Sequence, residues 1–106
     1  MDDTLRALAD PHRRRILALV RHEEMPAGAI AAWFMLSRPA ISQHLKVLAG
    51  AGLVSMRRDG TRRLYRAEPD RLDEVRAYLD RLWDDGLVRL KAAAEAEQTS
   101  KTDGGT

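Results

Sequence analysis

The 106-residue chain contains no cysteine. Disulfides, thiolate metal sites and thiol redox sensing are thereby excluded, and the composition is compatible with an intracellular setting. No apolar run approaches the length of a bilayer span, and the opening MDDTLRALAD is acidic and lacks a signal-peptide core. The cytoplasm is therefore the expected location, with no membrane partner. Glycine forms no phosphate-cradling loop, and no histidine stands beside a serine and an acid within one motif. No catalytic residue is identified, no cofactor is implied and no enzyme is expected. Internal repeats are absent as well. The length suggests one small domain with a modest core, expected over residues 1–97, that gains from burial against a partner.

What is present is an uneven charge. The whole chain carries a net charge of only +2, yet residues 38–67 hold seven Lys and Arg against Asp59 alone, a local net of +6. A basic middle between acidic ends suits a polyanion, although a solvated basic surface without a partner has the same composition.

The chain reads as helix, helix, helix, turn, helix, hairpin, long helix. Leu5 and Leu8 lie at helical spacing, and Asp10-Pro11 caps and opens a second helix with Ile16, Leu17 and Val20 on its apolar face. EEMPAG breaks the pattern. A short helix in AGAIAAWFM is expected to turn Ile30, Ala31 and Phe34 inward. Ser37 caps a helix over 37–49, with Pro39 in its first turn and Ile41, Leu45 and Leu48 on the core side; Gly50 and Gly52 end it. LVSMRR and RRLYRA flank Asp59-Gly60 as a two-stranded hairpin over 54–67. From Pro69-Asp70 a long helix places Leu72, Val75, Leu79, Leu82, Gly86 and Leu90 on one seam. The polar QTSKTDGGT stretch gives an expected disordered tail over 98–106.

This order is that of a winged helix-turn-helix, mainly α with a small β-hairpin: about five helices and a two-stranded wing. In such a fold the second helix of the pair enters the major groove of DNA. Arg38, Pro39, Ser42, Gln43 and Lys46 share the side of helix 37–49 opposite its core face. Arg38 can offer two donors to guanine, Gln43 can pair with adenine, Ser42 can reach a base or phosphate, and Lys46 suits a phosphate. His44 stands between the two sides, able either to cap the core or to contact a phosphate. Arg58, Thr61, Arg62 and Arg63 surround the hairpin tip, where cations can meet backbone or minor groove. Edge protection by charge is the ordinary alternative for any one of these arginines.

LADPHRRRILALV, SRPAISQHLKVLAGAGLV and RRDGTRRLYRAEP together resemble the arsenic-repressor (ArsR/SmtB-type) family of bacterial transcription regulators, from about Leu5 into the last helix. The run Ser-x-x-x-x-Ser-x-His-Leu-x-x-Leu from Ser37, followed by Gly-Leu-Val and the wing, is its most diagnostic part. The resemblance implies a homodimer built from the first and last helices, binding double-stranded DNA at an inverted-repeat operator and repressing it until a signal arrives. The implied dimer elements are Leu5 and Leu8 with Leu72, Val75, Leu79, Leu82, Gly86 and Leu90; packing of that seam within one chain is the alternative.

The chain departs from the family's metal sensors. It has no cysteine pair, and His12, His22 and His44 all lie outside the last helix. Asp73, Glu74, Asp80, Asp84 and Asp85 on that helix read as a solvated face, so no regulatory metal is expected. Trp33 and Met35 fall where relatives usually carry polar residues. They read either as packing against another helix or as a patch for an apolar or protein inducer, whose identity the sequence leaves unknown. A winged helix used for protein association alone is the competing class; it would more often place apolar anchors on residues 38–46.

Overall fold

The computed structural model describes the backbone of residues 1–104 and the side chains of residues 1–96. In chain order the elements are α1 (Asp2–Ala9), α2 (Pro11–His22), β1 (Met25–Pro26), α3 (Ala27–Ala31), α4 (Arg38–Gly50), β2 (Val54–Asp59), β3 (Arg62–Ala67) and α5 (Pro69–Gly104). They fall into two compact units, Met1–Val75 and Arg76–Thr106. The first ends inside the 1–97 stretch expected as one domain. α5 runs to Gly104, through most of the stretch 98–106 expected as a tail, whose last two residues lie outside the described ones.

Helix boundaries follow local chemistry. The Asp10 side chain accepts from the His12 and Arg13 amides at 2.8 and 3.2 Å, capping α2. Arg13 and Arg14 then reach back to the carbonyls that end α1. Arg13 Nε donates to Ala7 O at 2.6 Å, and Arg14 Nη1 donates to Leu8 O at 2.8 Å. Cationic donors at a helix C-terminus satisfy its orphan carbonyls and oppose its dipole. Arg13 and Arg14 of the HRRR run thus form a joint between two helices.

α3 is shorter than AGAIAAWFM suggested. It ends at Ala31, and the next amides tighten into three-residue steps, Trp33 N to Ile30 O at 3.0 Å and Phe34 N to Ala31 O at 3.1 Å. Ile30 is buried, with Ala31 and Phe34 packed partly against the core. Ser37 Oγ accepts from the Ala40 amide at 3.2 Å and caps α4.

α4 ends in a Schellman turn. Leu53 N bonds Leu48 O and Gly52 N bonds Ala49 O, each at 3.0 Å, with Gly52 at φ +75°. A side chain at Gly52 would be strained, and its Cβ would stand 2.9 Å from Arg71 Nε. The flanking Leu48 and Leu53 are both fully buried, as this motif favours.

Ile16, Val20, Ile30, Ile41, Leu45, Leu48 and Leu53 form the centre of the first unit. α1 meets it through Thr4 and Ala7, both buried, so Leu5 and Leu8 are only half-buried. Small residues let the helix lie close, and Thr4 Oγ1 donates to Ala51 O at 3.5 Å.

The expected two-stranded wing is part of a three-stranded antiparallel sheet in the order β1-β3-β2. EEMPAG, read as a break, contributes the edge strand: Met25 pairs with Tyr65 and Pro26 with Leu64. Two residues and a proline give no strand periodicity, and an edge position tolerates the missing amide proton. β2 and β3 pair from Val54–Ala67 to Asp59–Arg62, closing on Gly60 at φ +64°. Glycine at the first central position of a two-residue loop suits a hairpin turn.

Candidate nucleic-acid interface

α4 carries two functions on opposite sides. Ile41, Leu45 and Leu48 are at most 1% exposed, while Arg38, Pro39, Ser42, Gln43 and Lys46 are exposed. Helical periodicity sorts them, because the buried positions recur at steps of four and three. Arg38 lies against α3 as well: a Cβ on Gly28 would stand 3.2 Å from its Nη1. Glycine at that position leaves the guanidinium room.

The wing closes the other side of a groove of about 360 Å³, lined by Gly28, Arg38, Ser42, Thr61, Arg62 and Arg63, among others. Residues expected to meet DNA from two separate segments are therefore brought to one concave, cation-rich surface. Gln43 and Lys46 lie further along α4, outside the groove lining.

The cations differ in how they are held. Arg62 pairs with Asp59 at 3.7 Å, and Arg66 with Glu68 at 3.7 Å. Arg57 is gripped by Glu24: its Nε donates to both carboxylate oxygens at 3.0 and 2.9 Å, and its Nη2 donates to Oε1. This fork, with the nearby Arg57 and Arg66 charges, outweighs desolvation and holds the Glu24 carboxyl below the ordinary glutamate range. By contrast, Arg38, Lys46, Arg58 and Arg63 have neither an ion pair nor a side-chain hydrogen bond among the described residues. Arg58 and Arg63 are moreover directly opposed across the β2–β3 ladder and both exposed. Like charges in that register oppose folding.

His44 does not stand with these side chains. Its Nδ1 lies 3.4 Å from Arg13 Nη1, and its ring centroid is 5.8 Å from that of His12. Position 44 turns toward the start of α2 and is half-buried. Glu24, Arg57, Arg13 and Arg14 had no place in the sequence reading of the site. Glu24 and Arg57 are 33 residues apart, and no periodicity links them.

Of the seam residues, Val75 is 6% exposed and Leu72 packs on the core of the first unit. Val75 therefore has almost no surface left for a partner, a correction to its place in the seam. Leu79, Leu82 and Leu90 are 48, 55 and 68% exposed. A Cβ on Gly86 would meet nothing within 4 Å.

Trp33 and Met35 are exposed too, and Trp33 lines a shallow groove of about 190 Å³ with Arg15, Ala18, Leu19 and Phe34. The Arg15 guanidinium lies 4.9 Å over the Phe34 ring. Among the described residues no three His, Asp or Glu side chains gather where they could hold a metal ion, and no helix is long and apolar enough to cross a membrane.

A helix-turn-helix pair over a basic core-backed helix, with a cationic wing beside it, defines a winged helix-turn-helix protein. The helix-turn-helix domain family matches residues 8–57. The chain is 42% identical over 96 residues to the HTH-type transcriptional regulator Rv2034 of Mycobacterium tuberculosis, covering 91% of this chain and 90% of the relative. It is 34% identical to the arsenical resistance operon repressor of Staphylococcus xylosus, over 72% of this chain and 73% of that one. Among solved structures, the homodimeric winged helix-turn-helix DNA-binding domain Mb0332 of Mycobacterium bovis superposes with a TM-score of 0.65 at 32% identity, over 79% of this chain and 78% of that one. The chain belongs to the arsenic-repressor (ArsR) family of winged helix-turn-helix regulators.

Proposed function

We propose that this protein is a homodimeric, sequence-specific transcriptional repressor that reads an inverted-repeat operator. α4 lies in the major groove, where Arg38 and Gln43 read base edges and Ser42 and Lys46 fix the backbone. Arg58, Thr61 and Arg63 of the wing meet the flanking phosphates or minor groove, with Arg62 contributing once released from Asp59. The observation that carries this reading is the groove uniting Arg38 and Ser42 of α4 with the wing tip, beside the unpaired, opposed Arg58 and Arg63. Repression is supported by the Staphylococcus relative, and dimer formation by the homodimeric Mycobacterium bovis domain. The exposed Leu79, Leu82, Trp83, Leu87, Val88 and Leu90 of α5 supply apolar surface for a second copy. Leu5 and Leu8 of α1 retain half-buried area for the same purpose.

Selection of bound sequences from a random duplex pool tests this reading. Enrichment of an inverted repeat is expected. A folded dimer that enriches nothing would move the function to protein association. A second reading, an inducer site at Trp33, is favoured by the exposed aromatic groove beside Arg15. Operator release that is unchanged in a folded Trp33→Ala dimer would remove it.

A further inference from the structure

The ladder sorts the wing's arginines by face. Ser55 pairs with Arg66, Arg57 with Leu64 and Asp59 with Arg62, while Arg58 pairs with Arg63 one step out of phase. Side chains alternate across a strand, so Arg57, Arg62 and Arg66 share one face and Arg58 and Arg63 the other. Every arginine of the first face has an acid, respectively Glu24, Asp59 and Glu68. The second face has none among the described residues.

The Glu24–Arg57 pair is the most tightly made of the three and the longest in sequence separation. Arg57 engages both oxygens of the carboxylate, and the Glu24 side chain is only 30% exposed. Glu24 directly precedes β1, whose two residues pair with β3 and lead straight into α3. The carboxylate thus sits where β1 joins the wing's sheet to α3, holding a cation on the wing's flank.

A carboxylate beside a DNA-binding surface repels phosphate, so affinity alone would select against it. Specificity is a different quantity. Non-specific binding is essentially electrostatic, and a protein without base contacts to seat it can tilt to use any free cation. On this reading the base contacts of α4 fix the seat on the operator, and a flank cation set back from the hairpin tip is left without a phosphate. We propose that Glu24 is a specificity-determining residue: by holding the Arg57 guanidinium in a fork, it keeps that charge off non-operator DNA and leaves the wing's contacts to the Arg58–Arg63 face and the hairpin tip. This inference rests on the helix-and-wing interface proposed above.

The test is binding of the full-length Glu24→Gln protein to its selected operator and to a scrambled duplex of the same length, across a salt series. Freed Arg57 adds one phosphate contact per protomer. The scrambled duplex should bind more tightly, with a salt slope steeper by about 1.8 per dimer, so that the gain shrinks about tenfold between roughly 50 and 200 mM salt. Operator affinity should not rise, and the specificity ratio falls. An equal gain on both duplexes would mean a general charge effect, and an equal loss on both would mean a structural prop; either overturns the proposal. Arg57→Gln decides the matter if Glu24→Gln does not fold. It should leave the operator salt slope unchanged, whereas Arg58→Gln lowers it by about 1.8. A slope reduced by Arg57→Gln as much as by Arg58→Gln overturns the proposal. An unchanged slope in Arg58→Gln overturns the interface reading itself, whatever Glu24 does.

Discussion

Reversing one charge in the wing should stabilise the protein while disabling it. Arg58 and Arg63 face each other across the ladder, both exposed and without an acid among the described residues. Directly opposed like charges destabilise and opposite charges stabilise, each by roughly 0.2–1 kcal/mol. Arg63→Glu converts one into the other, a gain of about 0.5–1 kcal/mol at low salt. For a domain of this size that raises the melting temperature by about 3–6 °C. The gain should fade with added salt, because both groups are exposed and screened. DNA binding moves the opposite way. The substitution removes one phosphate contact per protomer and neutralises Arg58 as well, so the salt slope of a dimer should fall by about two to four. Arg63→Gln should lie between wild type and Arg63→Glu in both measurements. The assays are thermal melts at fixed protein concentration, since a dimer's midpoint depends on it, and fluorescence anisotropy on operator duplex across salt. A lower melting temperature for Arg63→Glu, or an unchanged salt slope, would refute the assignment of this pair to an external anion.

Other consequences can be measured directly. Asp10→Ala should cost about 1 kcal/mol in urea unfolding, the usual loss for an N-cap. Desolvation raises the Asp10 pKa, but the amide bonds from Arg13 and His12 and the nearby His44 and Arg13 charges outweigh it, leaving the group below its ordinary value of 3.8. The stability contributed by its charge is therefore fully present above pH 3.8 and lost as pH falls through the lowered value. The difference between wild type and Asp10→Asn should vanish over that acid range. Gly52→Ala should destabilise by about 1–2 kcal/mol through its left-handed backbone, and Arg71→Ala should relieve only the additional clash. Leu45→Ala, at 1% exposure, should cost about 2–5 kcal/mol in the same unfolding assay. Gly28→Val should leave the melting temperature nearly unchanged but alter base preference in a repeat of the duplex selection, because the added side chain displaces the Arg38 guanidinium.

The features legible in the sequence are those set by contacts a few residues apart. Ser37 and Asp10 as caps, Ile41, Leu45 and Leu48 as one helical face, Gly52 as a helix stop and Asp59-Gly60 as a hairpin signal each depend on fixed local geometry. The polar set on α4 follows from the same periodicity, since what the core does not take must face outward. Tertiary structure decided the rest. β1 has two residues, too few to show a period, and exists because β3 offers an edge to pair with. Val75 continues the seam's spacing exactly as Leu79 does, yet one is buried in the first unit and the other exposed. The wing's five arginines look alike in composition, and only the register and the acids Glu24, Asp59 and Glu68 divide them into a paired face and a bare one. Charge count along a chain fixes how many cations there are; which of them are free depends on what the fold places within reach of each.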